Sequence, residues 1–324
     1  MNEELFDPRP AKKVFSRIGF SMTTLLLLTT VLQIIVVIAL GNLMATSPWA
    51  MWLGTFSPMY LIGIPTGLWM MRKLPAEAPQ ESRLDKKNFL IFFVIGLFLM
   101  YAGNFMGIFL SGFLSGGTAE NSLDTYAMDN HPLKVLFMVV LAPLLEEYVC
   151  RKAIIDRTRR YGEKVAVMLS AVIFALMHQN LFQFFYAFAL GLVFAYIYVR
   201  TGRLRYPVIL HAIYNFMGSV IAPWILTLTS TDALTKVPNG SPEMLADAYA
   251  KMLPGLLLAG LYAMVLITGA IAGFVLLLIK GRKLIWQESP EQLPKGTAFK
   301  TVYLSGGMIV YSLLCLSSIL LALV

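Results

Sequence analysis

Apolar residues recur along this 324-residue chain in long runs, separated by short polar connections. Nine runs stand out, over 18–44, 51–71, 89–113, 133–155, 165–180, 181–199, 206–227, 253–280 and 302–324. Most approach the roughly 20 residues that a helix needs to cross a hydrocarbon core about 30 Å thick. A segment in lipid must satisfy its backbone groups internally, so such runs predict helices and not open strands. The fifth and sixth runs abut, so a tight turn near Gln179-Asn180 must divide them. The pattern predicts an all-α polytopic membrane helix bundle with about nine transmembrane helices, eight being the alternative count. Three helices fall in an N-terminal region, 1–132, and two in a C-terminal region, 221–324. The others lie in 133–220.

Composition removes the soluble alternative. Only 14% of the residues are charged and 58% are hydrophobic, whereas soluble domains carry about 25% charged residues. The first run, 18–44, is longer than the ~7–15-residue apolar region of a signal peptide, so it reads as an uncleaved first span. Cys150 and Cys315, the only cysteines, fall in or beside apolar runs and suggest neither a disulfide framework nor a thiolate metal site.

The net charge of +8 acquires meaning from its distribution. Segments 1–17, 72–88, 151–164, 200–205 and 280–300 hold 23 of the 26 Lys and Arg residues; the alternating set holds only Lys134, Lys236 and Lys251. Cytoplasmic loops carry such an excess. The expected location is the cell membrane, multi-pass, with the N-terminus cytoplasmic and the C-terminus outside. Attraction of the basic loops to anionic lipid is a secondary effect, and no nucleic-acid partner is implied.

Ionisable side chains inside a bilayer cost on the order of 2.5–3.5 kcal/mol each and are functional by default. Of 18 acidic residues only Glu146 and Glu147 lie within an apolar run, and of three histidines His178 and His211 do. If 133–160 and 164–180 form a hairpin turning at Gly162, Glu146 and His178 each stand 16 residues from the turn. At a rise of ~1.5 Å per residue they lie level, ~24 Å from it. From the next inner turn, at Gly202, Asn215 rises ~20 Å by the same measure. His211 and Asn215, four residues apart, share a helix face. The charged stretch 151–164 is expected to project into the cytoplasm as a continuation of the hairpin.

Consecutive helical residues point ~100° apart, so the two glutamates cannot share a role. Arg151 stands four residues after Glu147, the favourable order for an ion pair. Glu146 is then free to face the histidines and take a proton from water, while His211 and Asn215 can donate to a developing oxyanion. Each residue has a bland alternative: a structural ion pair for Glu147, packing for either histidine, interhelical bonding for Asn215. The combination is what points to chemistry. Glu146, His178 and His211 also form a two-histidine, one-carboxylate set able to hold catalytic zinc. The lack of an HExxH helix and the position of Asn215 favour catalysis without a cofactor, with zinc left open.

At these residues the sequence resembles the CPBP family, also called Abi or type II CAAX prenyl endopeptidase-like, of intramembrane glutamic endopeptidases. Its EExxxR motif matches Glu146-Glu147-Tyr148-Val149-Cys150-Arg151, its FxxxH motif Phe174-Ala175-Leu176-Met177-His178, and its HxxxN motif His211-Ala212-Ile213-Tyr214-Asn215. The resemblance implies a catalytic core over 133–220, water activation by Glu146 and His178, and oxyanion stabilisation by His211 and Asn215. Glu147 and Arg151 would support that arrangement. The expected function is hydrolysis of a peptide bond in a membrane-associated protein or peptide. The competing readings are a noncatalytic scaffold or bacteriocin-immunity protein on the same fold, and a transporter with a proton relay, which would lack an evident inverted repeat.

Overall fold

The computed structural model describes residues 7–229 and 242–324, and every regular element among them is helical. Eleven helices follow in order: α1 (Arg9–Thr46), α2 (48–71), α3 (Lys86–Ser115), α4 (Ser122–Met128), α5 (135–158), α6 (Glu163–Met177), α7 (Leu181–Thr201), α8 (Arg205–Leu228), α9 (Pro242–Lys280), α10 (Ala298–Val302) and α11 (Gly306–Leu321). Five of them, α1, α3, α7, α8 and α9, are each long and apolar enough to cross a membrane. The remaining apolar runs take other forms. Runs two and four become α2 and α5, helical throughout but interrupted by wide π turns, while α6 and α11 have only 15 and 16 residues. The tripeptide Asn239-Gly240-Ser241, which has the form of a glycosylation acceptor, lies outside the described residues.

The π turns have a cause in the sequence. Segments Pro58–Gly63, Val135–Leu141 and Met217–Ile221 each end two residues before a proline: Pro65, Pro143 and Pro223. A proline inside a helix lacks the N–H for the carbonyl one turn back and its ring crowds that turn. Widening the turn relieves the clash, and neighbouring helices satisfy the freed carbonyls. Between Pro58 and Pro65 the helix is therefore a π segment. A fourth, Tyr148–Ala153, contains no proline and follows Glu147 directly.

Helix α6 lies at the centre, with eleven of its 15 residues buried. One core joins it to α1, α2, α5 and α11, and a second joins α3, α7 and α8. Helix α9 rests on α3, its outer face apolar at Leu257, Leu261 and Met264. Together with Ile38, Phe105 and Phe113 these make an exposed apolar belt far beyond the patches that monomeric soluble proteins show. The chain is a multi-pass membrane protein. Helices α3 and α7 meet unusually closely. A Cβ added at Gly103 would stand 2.5 Å from the Tyr186 Cα, and one at Gly107 2.5 Å from the Phe182 carbonyl oxygen. The small-xxx-small spacing is thus a real backbone approach.

The connections gather at two ends. At one, Arg17 donates to the Met70 carbonyl, the Glu77 N–H to the Asp156 carbonyl, the Ser82 N–H to the Thr201 carbonyl and the Leu293 N–H to the Tyr161 carbonyl. Ion pairs Arg203–Glu81, Arg200–Glu163 and Arg160–Glu291 join the same segments. At the other end Trp52 donates to Asp129 (2.6 Å), Asn180 donates to Asn121 (3.0 Å), and the Trp49 and His131 rings meet edge-on.

One expectation is corrected here. Stretch 151–164 does not project from the bundle: Asp156 and Glu163 are buried, Asp156 accepting from the Tyr198 hydroxyl (2.8 Å) and Glu163 pairing with Arg200. These partners come from α7, which sequence distance alone could not place beside them. The turn at Gly162 is where the hairpin arithmetic puts it, with φ +127°.

Candidate active site

The α5–α6 hairpin and α8 carry the polar cluster. Glu147 is wholly buried and bound on both oxygens. Oε2 accepts from the Arg151 Nε at 2.8 Å, and Oε1 accepts from Arg151 Nη2 at 3.2 Å and from His211 Nδ1 at 3.1 Å. Arg151, equally buried, spends Nη1 on the Ser170 hydroxyl (2.8 Å), and Ser170 donates to the Cys150 carbonyl (2.7 Å). A charge pair in an apolar interior is stable only if such additional hydrogen bonds satisfy its remaining groups. The guanidinium also lies 4.7 Å over the Phe174 ring, a cation–π contact.

Glu146 is treated differently. It has no hydrogen-bond partner among the described residues, and its Oε2 stands 3.8 Å from the His211 Nε2 with 14% of the side chain exposed. Histidine tautomers follow from their partners. The His178 Nδ1–H donates to the Phe174 carbonyl (2.7 Å), which leaves Nε2 with its lone pair free. The His211 Nδ1–H is committed to Glu147, so Nε2 carries a proton only in the imidazolium form, which the two flanking carboxylates would accompany. Phe174 links the histidines, its ring meeting both edge-on at 4.9 and 5.6 Å.

Asn215 lies one turn beyond His211, and its Nδ2 donates to the Met138 carbonyl at 2.8 Å. That carbonyl is available for a specific reason. In a π turn it would bond the N–H five residues on, and that residue is Pro143, which has none. One amide proton of Asn215 therefore holds α8 to α5 while the second is uncommitted. Among the described residues no group of three or more His, Cys, Asp or Glu side chains is disposed to share one metal ion.

Residues 129–217 match the family described as type II CAAX prenyl endopeptidase Rce1-like. Two curated relatives match over longer stretches. A membrane-embedded CAAX protease MroQ of Staphylococcus aureus is 38% identical over 113 residues, 32% of this chain and 43% of the relative. A putative membrane peptidase YdiL of Bacillus subtilis is 27% identical over 164 residues, 46% of this chain and 63% of the relative. The chain thus spans less than two thirds of either relative's length, and no solved structure matches it.

Within the Rce1-like segment the structure brings Glu146, Glu147, Arg151, Phe174 and His211 into one contact set. His178 joins it through Phe174, and Asn215 through Met138. Sequence reading missed three contributors. Ser170 braces Arg151, and its signal was a hydroxyl among apolar residues in 165–177. Phe194 stacks on His211 at 5.5 Å, which no spacing reveals. The Met138 carbonyl was legible only through Pro143.

Proposed function

We propose that this chain is an intramembrane endopeptidase in which Glu146 and His178 activate water against a peptide bond of a membrane-associated protein or peptide. The observation that carries the reading is the unequal bonding of two adjacent glutamates: both Glu147 oxygens are occupied, whereas Glu146 has no hydrogen-bond partner among the described residues. Water held between Glu146 and the free His178 Nε2 gives up a proton to Glu146 as its oxygen adds to the scissile carbonyl. The resulting oxyanion takes hydrogen bonds from the second amide proton of Asn215 and from the imidazolium Nε2 of His211. As the oxyanion collapses to a carboxyl group the C–N bond breaks, and Glu146 passes its proton to the departing amine, releasing both fragments. The names of the relatives, a CAAX protease and a putative membrane peptidase, support this reaction class.

Two experiments test it. Membrane proteomes of cells with the native chain and with Glu146→Gln will differ by at least one protein shortened only in the former; identical proteomes would remove the proposal. Hydrolysis of that substrate by purified protein will survive exhaustive chelation. Bound zinc whose removal stops turnover and whose return restores it would recast Glu146 and the histidines as ligands.

We also infer nine crossings with the basic end in the cytoplasm. Supporting this, all five basic segments meet at one end of the bundle, and 45–50, 114–134 and 178–181 lie at the other. Reporter fusions after residues 80 and 290 will report cytoplasm and fusions after 122 and 240 the exterior. Any reversal breaks the scheme.

A further inference from the structure

An opening lies apart from the polar cluster. It is a cavity of about 900 Å³ at the basic end, between the start of α1, the end of α2 and the turn into α11. Its lining is divided by height. On α1 the lining passes from Lys12, Lys13 and Arg17 to Phe20 and Thr24, and Met70, Leu74 and Leu304 complete the wall. Lys13, Arg17, Phe20 and Thr24 recur at intervals of four, three and four, so one stripe of α1 passes from cationic to apolar over ~16 Å. Phe20 and Leu304 are 44% and 48% exposed, and among the described residues no acidic side chain lines the space.

Two further features favour an anion there. Helix α11 begins at the cavity wall, and its N-cap residue Ser305 turns its hydroxyl to the Val302 carbonyl instead of capping. The first residues of this 16-residue helix line the opening with the positive end of its dipole, although the Gly307 N–H is already bonded to the Ser16 hydroxyl at 2.9 Å. Arg17 commits only Nε, to the Met70 carbonyl at 2.9 Å, so its terminal nitrogens can still donate. Lys12 and Lys13 have no acidic partner among the described residues. A cationic mouth at the cytoplasmic interface, running into an apolar slot open to the hydrocarbon, matches a phosphate headgroup with its acyl chains. Basic pockets between transmembrane helices hold such headgroups.

We propose that this cavity binds one anionic glycerophospholipid, its phosphate between Lys12, Lys13 and Arg17 and an acyl chain along Phe20 and Thr24. The proposal is independent of peptide hydrolysis. It is tested on full-length protein released from mixed micelles of phosphatidylglycerol and phosphatidylcholine, by native mass spectrometry, with inorganic phosphate as a separate arm. Phosphatidylglycerol will be retained in one copy at least tenfold over phosphatidylcholine. Lys12→Gln/Lys13→Gln, which leaves the Arg17–Met70 bond intact, will abolish that preference. Arg72→Gln/Lys73→Gln, at the same end but outside the cavity, will keep it and control for bulk charge. Equal retention of the two lipids, unchanged selectivity in the first variant, or loss of it in the second would overturn the proposal. So would displacement of the lipid by millimolar phosphate, which would make this a site for the free anion.

Discussion

Glu146→Gln will lower turnover on the native substrate by about 10²–10⁴-fold, the range contributed by a positioned acid–base group, and will leave the thermal unfolding midpoint in detergent unchanged. The two halves of this result have separate causes. Glutamine keeps the size of the side chain but cannot take a proton from water. Stability is spared because Glu146 makes no hydrogen bond among the described residues and its Oε2 stands 3.8 Å from the His211 Nε2, beyond hydrogen-bond reach. The check is steady-state hydrolysis alongside thermal unfolding of the same preparation. Substantial remaining turnover would show that another group is the base, and a large fall in the midpoint would show that Glu146 is structural.

Glu147→Gln and Arg151→Met will behave in the opposite way, each losing the folded state. Both residues are fully buried, and removing either leaves the other's charge without its partner. Breaking a buried pair from one side costs about 3–5 kcal/mol. Arg151→Met also removes the bond that the Ser170 hydroxyl accepts, leaving it only the one it donates to the Cys150 carbonyl. The double variant Glu147→Gln/Arg151→Met will recover most of the folded fraction, since it buries no unpaired charge, and its amide oxygen still accepts from the His211 Nδ1. Its turnover will stay low because His211 loses the negative charge that accompanies its imidazolium form. Monodispersity on size-exclusion chromatography and unfolding midpoints of the three variants decide this. A double variant no better than the singles would mean that the pair sets the backbone and not merely the charge balance.

Much of this site was legible in the sequence because its parts obey helical spacing. Glu147 and Arg151 are four apart, as are His211 and Asn215, and the Gly162 and Gly202 turns bring their helices to a common level. The division between Glu146 and Glu147 followed from consecutive residues pointing in different directions. What escaped was everything set by tertiary partners. Asp156 and Glu163 read as loop charges because Tyr198 and Arg200 stand some 40 residues further on. The π turns of α2, α5 and α8 escaped as well, since a hydropathy run records that a segment is helical but not how its hydrogen bonds are shifted. For the same reason the number of crossings is not a property of apolar runs alone.

Pro143 gives the site an unusual dependence, because it contributes through a hydrogen that it lacks. A stabilising search would mark it for replacement, since proline in a helix interior is about 3 kcal/mol less favourable than alanine. An alanine there would bring a backbone proton back within reach of the Met138 carbonyl, in competition with Asn215. Helix α5 would gain regularity while α8 lost the tether that orients its amide. Position 143 is thus one where a firmer helix and a fixed Asn215 call for different residues, and selection for thermal resilience alone would discard the proline that keeps the tether.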